Sequence, residues 1–291
     1  MTTIINIQNT DWNQECSPVI QKQALSALEE GNVLFFPQLS FKMADVESQF
    51  LSLTIVGKSK NVSFDVSTGK LRGSEVGEVE TTMLQNMMQR FAIYSNELLF
   101  NLLPYYKADL VQSQTSFRPV EVAGRSTSWR KDDTRLHVDS FPSRPVQDKR
   151  ILRVFSNVNP NGQGRSWRLG ESFENVASRY LPSMSSPVWG SGWLLQLCGI
   201  TKSRRSAYDH FMLQIHDRMK ADLEYQLSVD QINYEFPSGS TWIAFTDQVS
   251  HAVMTGQYLL EQTFHLPVNS MQEPSRAPLQ VLERLSGRKL T

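Results

Sequence analysis

This sequence predicts a mainly β protein with flanking helices, on three observations. From about Gln112 to Pro267 the chain breaks into short strand-like segments separated by Gly, Pro, Asn and Ser turns, the rhythm of a β sandwich or barrel. Helical spacing of apolar residues is concentrated in the first third and recurs once later. Of 291 residues, 40% are apolar and 10% aromatic, which supplies a full core for one large domain or two small ones.

Taken in order, a first helix is expected over Pro18–Glu30. Its apolar residues are Val19, Ile20, Leu25 and Leu28, and Gly31 can take the left-handed conformation that ends helices. Val33–Phe36, ahead of Pro37, reads as a short buried strand. Four glycines and alternating charges between Gly57 and Glu80 predict a mobile loop. Order resumes at Thr82, where Leu84, Met87, Met88, Phe91, Leu98 and Leu102 repeat at helical spacing until Pro104. In the β region, strands are expected over Arg150–Asn157, over Thr241–Phe245 after the Pro237–Ser240 turn, and over Tyr258–Leu266. One helix, Arg204–Gln226, carries Tyr208, Phe211, Met212, Ile215 and Met219 on its apolar face. Residues 1–110 are thus expected as a mixed α/β segment packed on a core of residues 111–291, with the two forming one structural unit.

Composition narrows the function. Two cysteines, Cys16 and Cys198, do not make a disulfide scaffold, and the apolar stretch Trp193–Ile200 is far short of the ~18 residues that span a bilayer. The N-terminus lacks the regions of a secretory signal, so a reducing cytoplasm and free thiols are expected. Acids and bases balance at 29 each, yet Arg118–Arg168 holds eleven Lys or Arg against five Asp or Glu. A local basic patch on a neutral protein suits an anionic small molecule or head group better than nucleic acid.

With only five histidines in the chain, His137-Val138-Asp139 is notable, because residues i and i+2 of a strand share a face. A second histidine, His251, follows the apolar strand Trp242–Phe245. Two histidines and a carboxylate brought together by a jelly roll form a facial triad with open positions, which suits Fe(II) and a chelating cosubstrate better than zinc. On these residues alone, structural histidines with satisfied hydrogen bonds remain an equal alternative. His210 and His216 lie off the apolar stripe of their helix and read as surface or groove residues, while His265 reads as core or strand-end. No P-loop, GxGxxG, nucleophile elbow or Cys pair with metal spacing appears.

The segments Ser126–Pro145 (with Leu136-His-Val-Asp-Ser140), Arg150–Pro160 (Arg-Ile-Leu-Arg-Val-Phe-Ser-Asn-Val-Asn-Pro), Phe245–Val253 (Phe-Thr-Asp-Gln-Val-Ser-His-Ala-Val) and Leu260–Pro267 resemble the Kdo hydroxylase family. The resemblance is densest over residues 110–290. It implies a double-stranded β-helix (jelly-roll, cupin-like) core with added helices. It also implies an Fe(II)/2-oxoglutarate dioxygenase that uses O2 to hydroxylate C3 of Kdo in Kdo-lipid A, giving Ko.

On that resemblance His137, Asp139 and His251 match the iron ligands. Many related oxygenases carry a cation for the far carboxylate of 2-oxoglutarate shortly after the distal histidine, but Ala252–His265 has no Lys or Arg. Arg153 is the expected replacement, since strand parity places Arg153, Phe155 and Asn157 on one face; Asn157 is expected at the cosubstrate with it, and Gln262 is expected to add a neutral hydrogen bond. Arg130, Lys131 and Arg144 are expected at the sugar carboxylate or lipid A phosphates. The C-terminal Pro278–Leu290, with leucines among basic residues, is expected chiefly to dock on its own domain, with peripheral contact with the inner membrane as the alternative. Two other readings stay open: an oxygenase for another acidic sugar or lipid, and a non-catalytic jelly-roll sugar binder.

Overall fold

The computed structural model describes residues 1–57, 59–125, 127–188 and 190–291; Ser126, which opens the first motif segment, lies outside them. The chain runs β1 (Ile4–Asn6), α1 (Pro18–Glu29), β2 (Val33–Phe36), β3 (Val62–Asp65), β4 (Lys70–Arg72), α2 (Glu78–Leu102) and β5 (Val111–Arg118). It continues through β6 (Lys149–Asn157), β7 (Arg165–Leu169), α3 (Phe173–Tyr180), α4 (Ser191–Leu197), α5 (Ala207–Ala221) and α6 (Leu223–Ser228). The last elements are β8 (Ile232–Phe236), β9 (Thr241–Phe245), β10 (His251–Thr255), β11 (Leu259–Pro267) and α7 (Pro278–Ser286).

Local chemistry explains the helix limits. Ser17 caps α1 by accepting from the Ile20 amide, Pro18 takes the first turn, and Gly31 lies beyond the end at φ +82°. The stripe Leu84, Met87, Met88, Phe91, Leu98 and Leu102 is buried along α2. That helix begins at Glu78, a turn earlier than expected, because Glu78 and Glu80 in its first turn complement the helix dipole. A reciprocal Ser206–Asp209 capping box opens α5. Asp222 leaves helical geometry and caps α6 through the Tyr225 amide, so the single helix expected over Arg204–Gln226 is two.

The expected mobile loop between Gly57 and Glu80 is in part a β3–β4 hairpin. Val62 and Phe64 are buried, and the Asp65 carboxylate accepts from the Ser67 and Thr68 amides at the turn. With strands of three and four residues, the alternation was too brief to stand out among the glycines.

Eight strands form one sheet in the order β1-β2-β9-β6-β11-β5-β3-β4, and β10-β7-β8 form a second. The β1–β2 pair is parallel; the other strand pairs are antiparallel. A buried cluster containing Phe35, Phe155, Trp167, Phe236 and Trp242 fills the space between the sheets, and helices α1 and α2 cover the outer face of the large one. The result is a jelly roll with flanking helices. Strands from residues 1–110 lie in the same sheet as the central β6 and β11.

Candidate metal centre and active site

One open end of the roll brings two distant histidines together. His137 was expected on a strand; instead it makes an isolated bridge to His251, with reciprocal amide-to-carbonyl hydrogen bonds of 2.9 Å each way. Two residues on, the Asp139 amide donates to Thr246 O at 2.8 Å. These three bonds hang the His137-x-Asp139 segment on the chain around β9 and β10. One ligand atom from each of His137, Asp139 and His251 lies within 4.8 Å of the others, and all three residues are buried.

Both imidazoles are set for a metal. His137 Nδ1 is 2.8 Å from Arg135 O and His251 Nδ1 is 2.8 Å from Val249 O. Since a carbonyl only accepts, each Nδ1 carries the proton and each Nε2 presents a lone pair to the centre. Burial, reinforced for His137 by the neighbouring His251 and Lys220, pushes both pKa values down and favours the neutral, ligating form. Burial would raise Asp139, but Arg153 and the two imidazoles outweigh it and hold the carboxyl well below the usual range. Asp139 Oδ2 lies 3.2 Å from Arg153 Nη1 yet has no aligned hydrogen bond, so a buried anionic oxygen is left for another partner. Trp167 stacks on the His251 ring at 5.1 Å, and His216 on α5 stands edge-on to His137 at 5.4 Å.

Beside the triad is a cavity of about 60 Å³ with Arg118, Arg153, Arg165 and Trp167 in its wall. Glu261 bridges two of these cations, 2.7 Å from Arg118 and 3.3 Å from Arg153. Among the described residues Arg165 makes no salt bridge and donates to Gly256 O at 3.0 Å. Gly256, at φ +125°, permits that approach, since a Cβ there would meet Arg165 Cγ at 2.8 Å. Burial, with Arg118 and Arg125 nearby, outweighs the attraction of Glu261 and Asp133 and pushes the Arg165 pKa down to about 9, so it is a cation at neutral pH that its surroundings compensate only in part. Nε of all three arginines and Nε1 of Trp167 are buried donors without an acceptor among the described residues. Four orphan donors around one small cavity next to a metal-ligand cluster describe a site for a small anion.

A larger cleft of about 490 Å³ adjoins this cavity and shares Arg118, Arg153 and Glu261 with it. Its rim adds Arg144, Lys149 and His265.

The family model for 3-deoxy-D-manno-oct-2-ulosonic acid (Kdo) hydroxylase matches residues 11–289. The chain belongs to the Kdo hydroxylase family. Among solved structures, the Kdo hydroxylase KdoO, a non-heme Fe(II) α-ketoglutarate-dependent dioxygenase in complex with α-ketoglutarate and Fe(III), is 49% identical with a TM-score of 0.97, covering 100% of this chain and 98% of that one. KdoO with cobalt(II) is 50% identical at a TM-score of 0.97, covering 99% of this chain and 97% of that one. KdoO with succinate and Fe(III) is 49% identical at a TM-score of 0.96, with the same coverage. No curated protein sequence matches the chain.

Within this Kdo hydroxylase the other expected site residues fall unequally. Arg153 reaches the cavity, where it is engaged by Asp139 and Glu261. Asn157 shares its strand face but braces a loop, donating to Gln163 O and Phe236 O. Gln262 is a correction. It opposes Val154 and Thr115 in the sheet, on the face away from the cavity, and its amide is used by Thr115, Ser113 O and Thr263 O. The cavity residue of β11 is its neighbour Glu261. Of the three expected substrate cations only Arg144 lines the cleft, hydrogen-bonded to Gln114. Arg130 instead pairs with Asp217 of α5 at 3.0 Å and stacks on Trp129, and Lys131 beside it is exposed.

Sequence reasoning missed Arg118, Arg165 and Trp167. The signal was the alternation Arg165-x-Trp167-x-Leu169, whose odd positions are all buried in β7.

Proposed function

We propose that this chain hydroxylates C3 of Kdo in Kdo-lipid A, giving Ko, at the cytoplasmic face of the inner membrane. The observation that carries the reading is the pairing of two neutral imidazoles and one carboxylate with an anion cavity at their side. His137 Nε2, His251 Nε2 and Asp139 would hold Fe(II) on one side and leave the other side open. Bound there with 2-oxoglutarate and O2, the iron supplies the oxidising power for C–H hydroxylation, 2-oxoglutarate leaving as succinate and carbon dioxide.

The protein's own part is positioning and charge. Arg165 and Arg118, with Arg153, receive the far carboxylate of 2-oxoglutarate, and Trp167 Nε1 adds a donor. Glu261 holds Arg118 and Arg153 in place while the cavity is empty. Arg144 and Lys149 at the cleft rim meet the Kdo carboxylate or lipid A phosphates, which suits the basic window of the sequence.

The test is incubation of the purified chain with Kdo-lipid A, ferrous iron, 2-oxoglutarate and oxygen. One added oxygen on the Kdo unit, by mass spectrometry and carbon-resolved NMR, together with equimolar succinate, is the expected result. Succinate release with an unmodified Kdo lipid would move the chain to another acidic sugar or lipid. No turnover of either kind would leave a binding protein.

A further inference from the structure

Beside the cleft stands an apolar surface that the described residues leave exposed. Trp193 and Leu194 on α4 are 65% and 61% exposed, Leu197 is 85%, and Ile200 and Val188 at its two ends are 57% and 79%. On the helix the spacing 193, 194, 197 puts three large side chains on one face. Soluble surfaces tolerate single exposed leucines; a contiguous group of this size marks a contact.

Charge identifies the partner. Between Leu181 and Ser206 the sequence has no Asp or Glu, while Lys202, Arg204 and Arg205 follow the helix directly. Arg204 lies over the Trp193 ring at 5.5 Å, joining a cation to the indole, the residue type that favours a membrane–water boundary. A Trp- and Leu-bearing face flanked only by cations is the chemistry that seats a helix at the interface of an anionic bilayer.

Position supports the same partner. The Lys202 amide donates to Ser143 O at 3.0 Å and Arg205 Nη2 to Pro142 O at 2.5 Å, while Ser203 and Ser143 line the cleft. Of the basic segment only Ser203 lines the cleft; Lys202 and Arg205 hold the segment against its Pro142–Ser143 edge, and the three cations lie outside the lining. The C-terminal segment cannot serve in this way, because Leu279, Leu282 and Leu290 are buried against the domain.

We propose that Val188, α4 and Lys202–Arg205 form a docking surface for an anionic phospholipid bilayer, seating the mouth of the cleft at the membrane. The apolar face enters the head-group boundary and the three cations meet lipid phosphates.

Co-sedimentation of the full chain with phosphatidylglycerol-containing vesicles, against pure phosphatidylcholine vesicles, tests this without any Kdo lipid, so its outcome is independent of the substrate assignment. The wild-type chain should sediment with the anionic vesicles and less with the neutral ones. A Leu194→Ser/Leu197→Ser variant should lose roughly tenfold or more in partition. Arg204→Ala/Arg205→Ala should lose roughly thirtyfold on anionic vesicles and little on neutral ones. Uncoupled 2-oxoglutarate turnover should be unchanged in both, which shows that they fold. The proposal is overturned if the wild-type chain stays in the supernatant or if the variants bind as it does. It is equally overturned if the same substitutions abolish self-association of a chain that ignores vesicles.

Discussion

Replacing Arg165 with methionine separates stability from cosubstrate binding. Arg165 is buried in β7 with no salt bridge among the described residues, and its pKa is pushed down from 12.5 to about 9. That displacement corresponds to about 5 kcal/mol against the charged form. A methionine of similar length removes this penalty and loses one hydrogen bond to Gly256 O, worth about 1 kcal/mol. The Arg165→Met protein without cosubstrate is therefore expected to melt no lower than the wild type. Its 2-oxoglutarate affinity, in contrast, should fall by the roughly 2–5 kcal/mol of a lost buried charge contact. That is a roughly thirty- to several-thousand-fold weaker Kd. Wild-type protein at about a hundred times Kd should gain roughly 2.7 kcal/mol, or about 5 °C in Tm. Scanning fluorimetry and calorimetric titration with an oxygen-stable divalent ion present read both quantities. Unchanged 2-oxoglutarate affinity in the variant refutes the assignment and moves the anion to Arg118 and Arg153. A large loss of apo stability refutes the claim that burial of the Arg165 charge costs more than its contacts return.

Substituting His251 with alanine should abolish hydroxylation and metal binding with the fold intact by circular dichroism; full activity would sink the ligand assignment. Glu261→Gln leaves Arg118 and Arg153 short of a buried counter-charge and should cost about 3–5 kcal/mol by chemical denaturation, partly recovered when 2-oxoglutarate is added. Arg144→Ala should raise the apparent KM for Kdo-lipid A several-fold, as should higher salt, while uncoupled 2-oxoglutarate turnover is untouched; equal loss of both activities would place Arg144 at the iron site instead. Burial raises the Glu121 carboxyl, but the amides of Gly256, Ala123 and Val122 outweigh this and hold it below the usual glutamate range. Its contribution to stability is therefore complete above the unfolded pKa and lost as pH falls through the lowered one, so Glu121→Gln should flatten the acid limb of a Tm–pH profile.

How far the sequence alone reached follows from what each signal depends on. The α2 stripe and the buried β2, β6 and β9 were readable because periodicity and turn residues are local. The triad stood out because histidine is rare here and the surrounding strings are long and ordered. Strand parity put Arg153 and Phe155 on one face, and both line the cavity, although β6 is buried on both faces and burial alone would not separate them. The same parity misassigned Gln262, because it does not say which face of β11 meets the cavity. Arg165 was invisible for a different reason: a strand arginine reads as salt-bridged until the fold shows its guanidinium donating to a backbone carbonyl, Gly256 O, instead.

The place of β11 in the large sheet has a consequence for how the protein is made. It is made after the other ten described strands, yet it lies between β6 and β5, so without it the sheet is two pieces, β1-β2-β9-β6 and β5-β3-β4. A nascent chain therefore carries two open strand edges until residues 259–267 leave the ribosome. Such long-range pairing is slow to form and exposed to aggregation. Nonsense or frameshift products ending before Leu259 should go to proteolysis or inclusion bodies even though their triad residues are all present. The strand β11 thus acts as a checkpoint, allowing a stable sheet only from a chain read through residue 267.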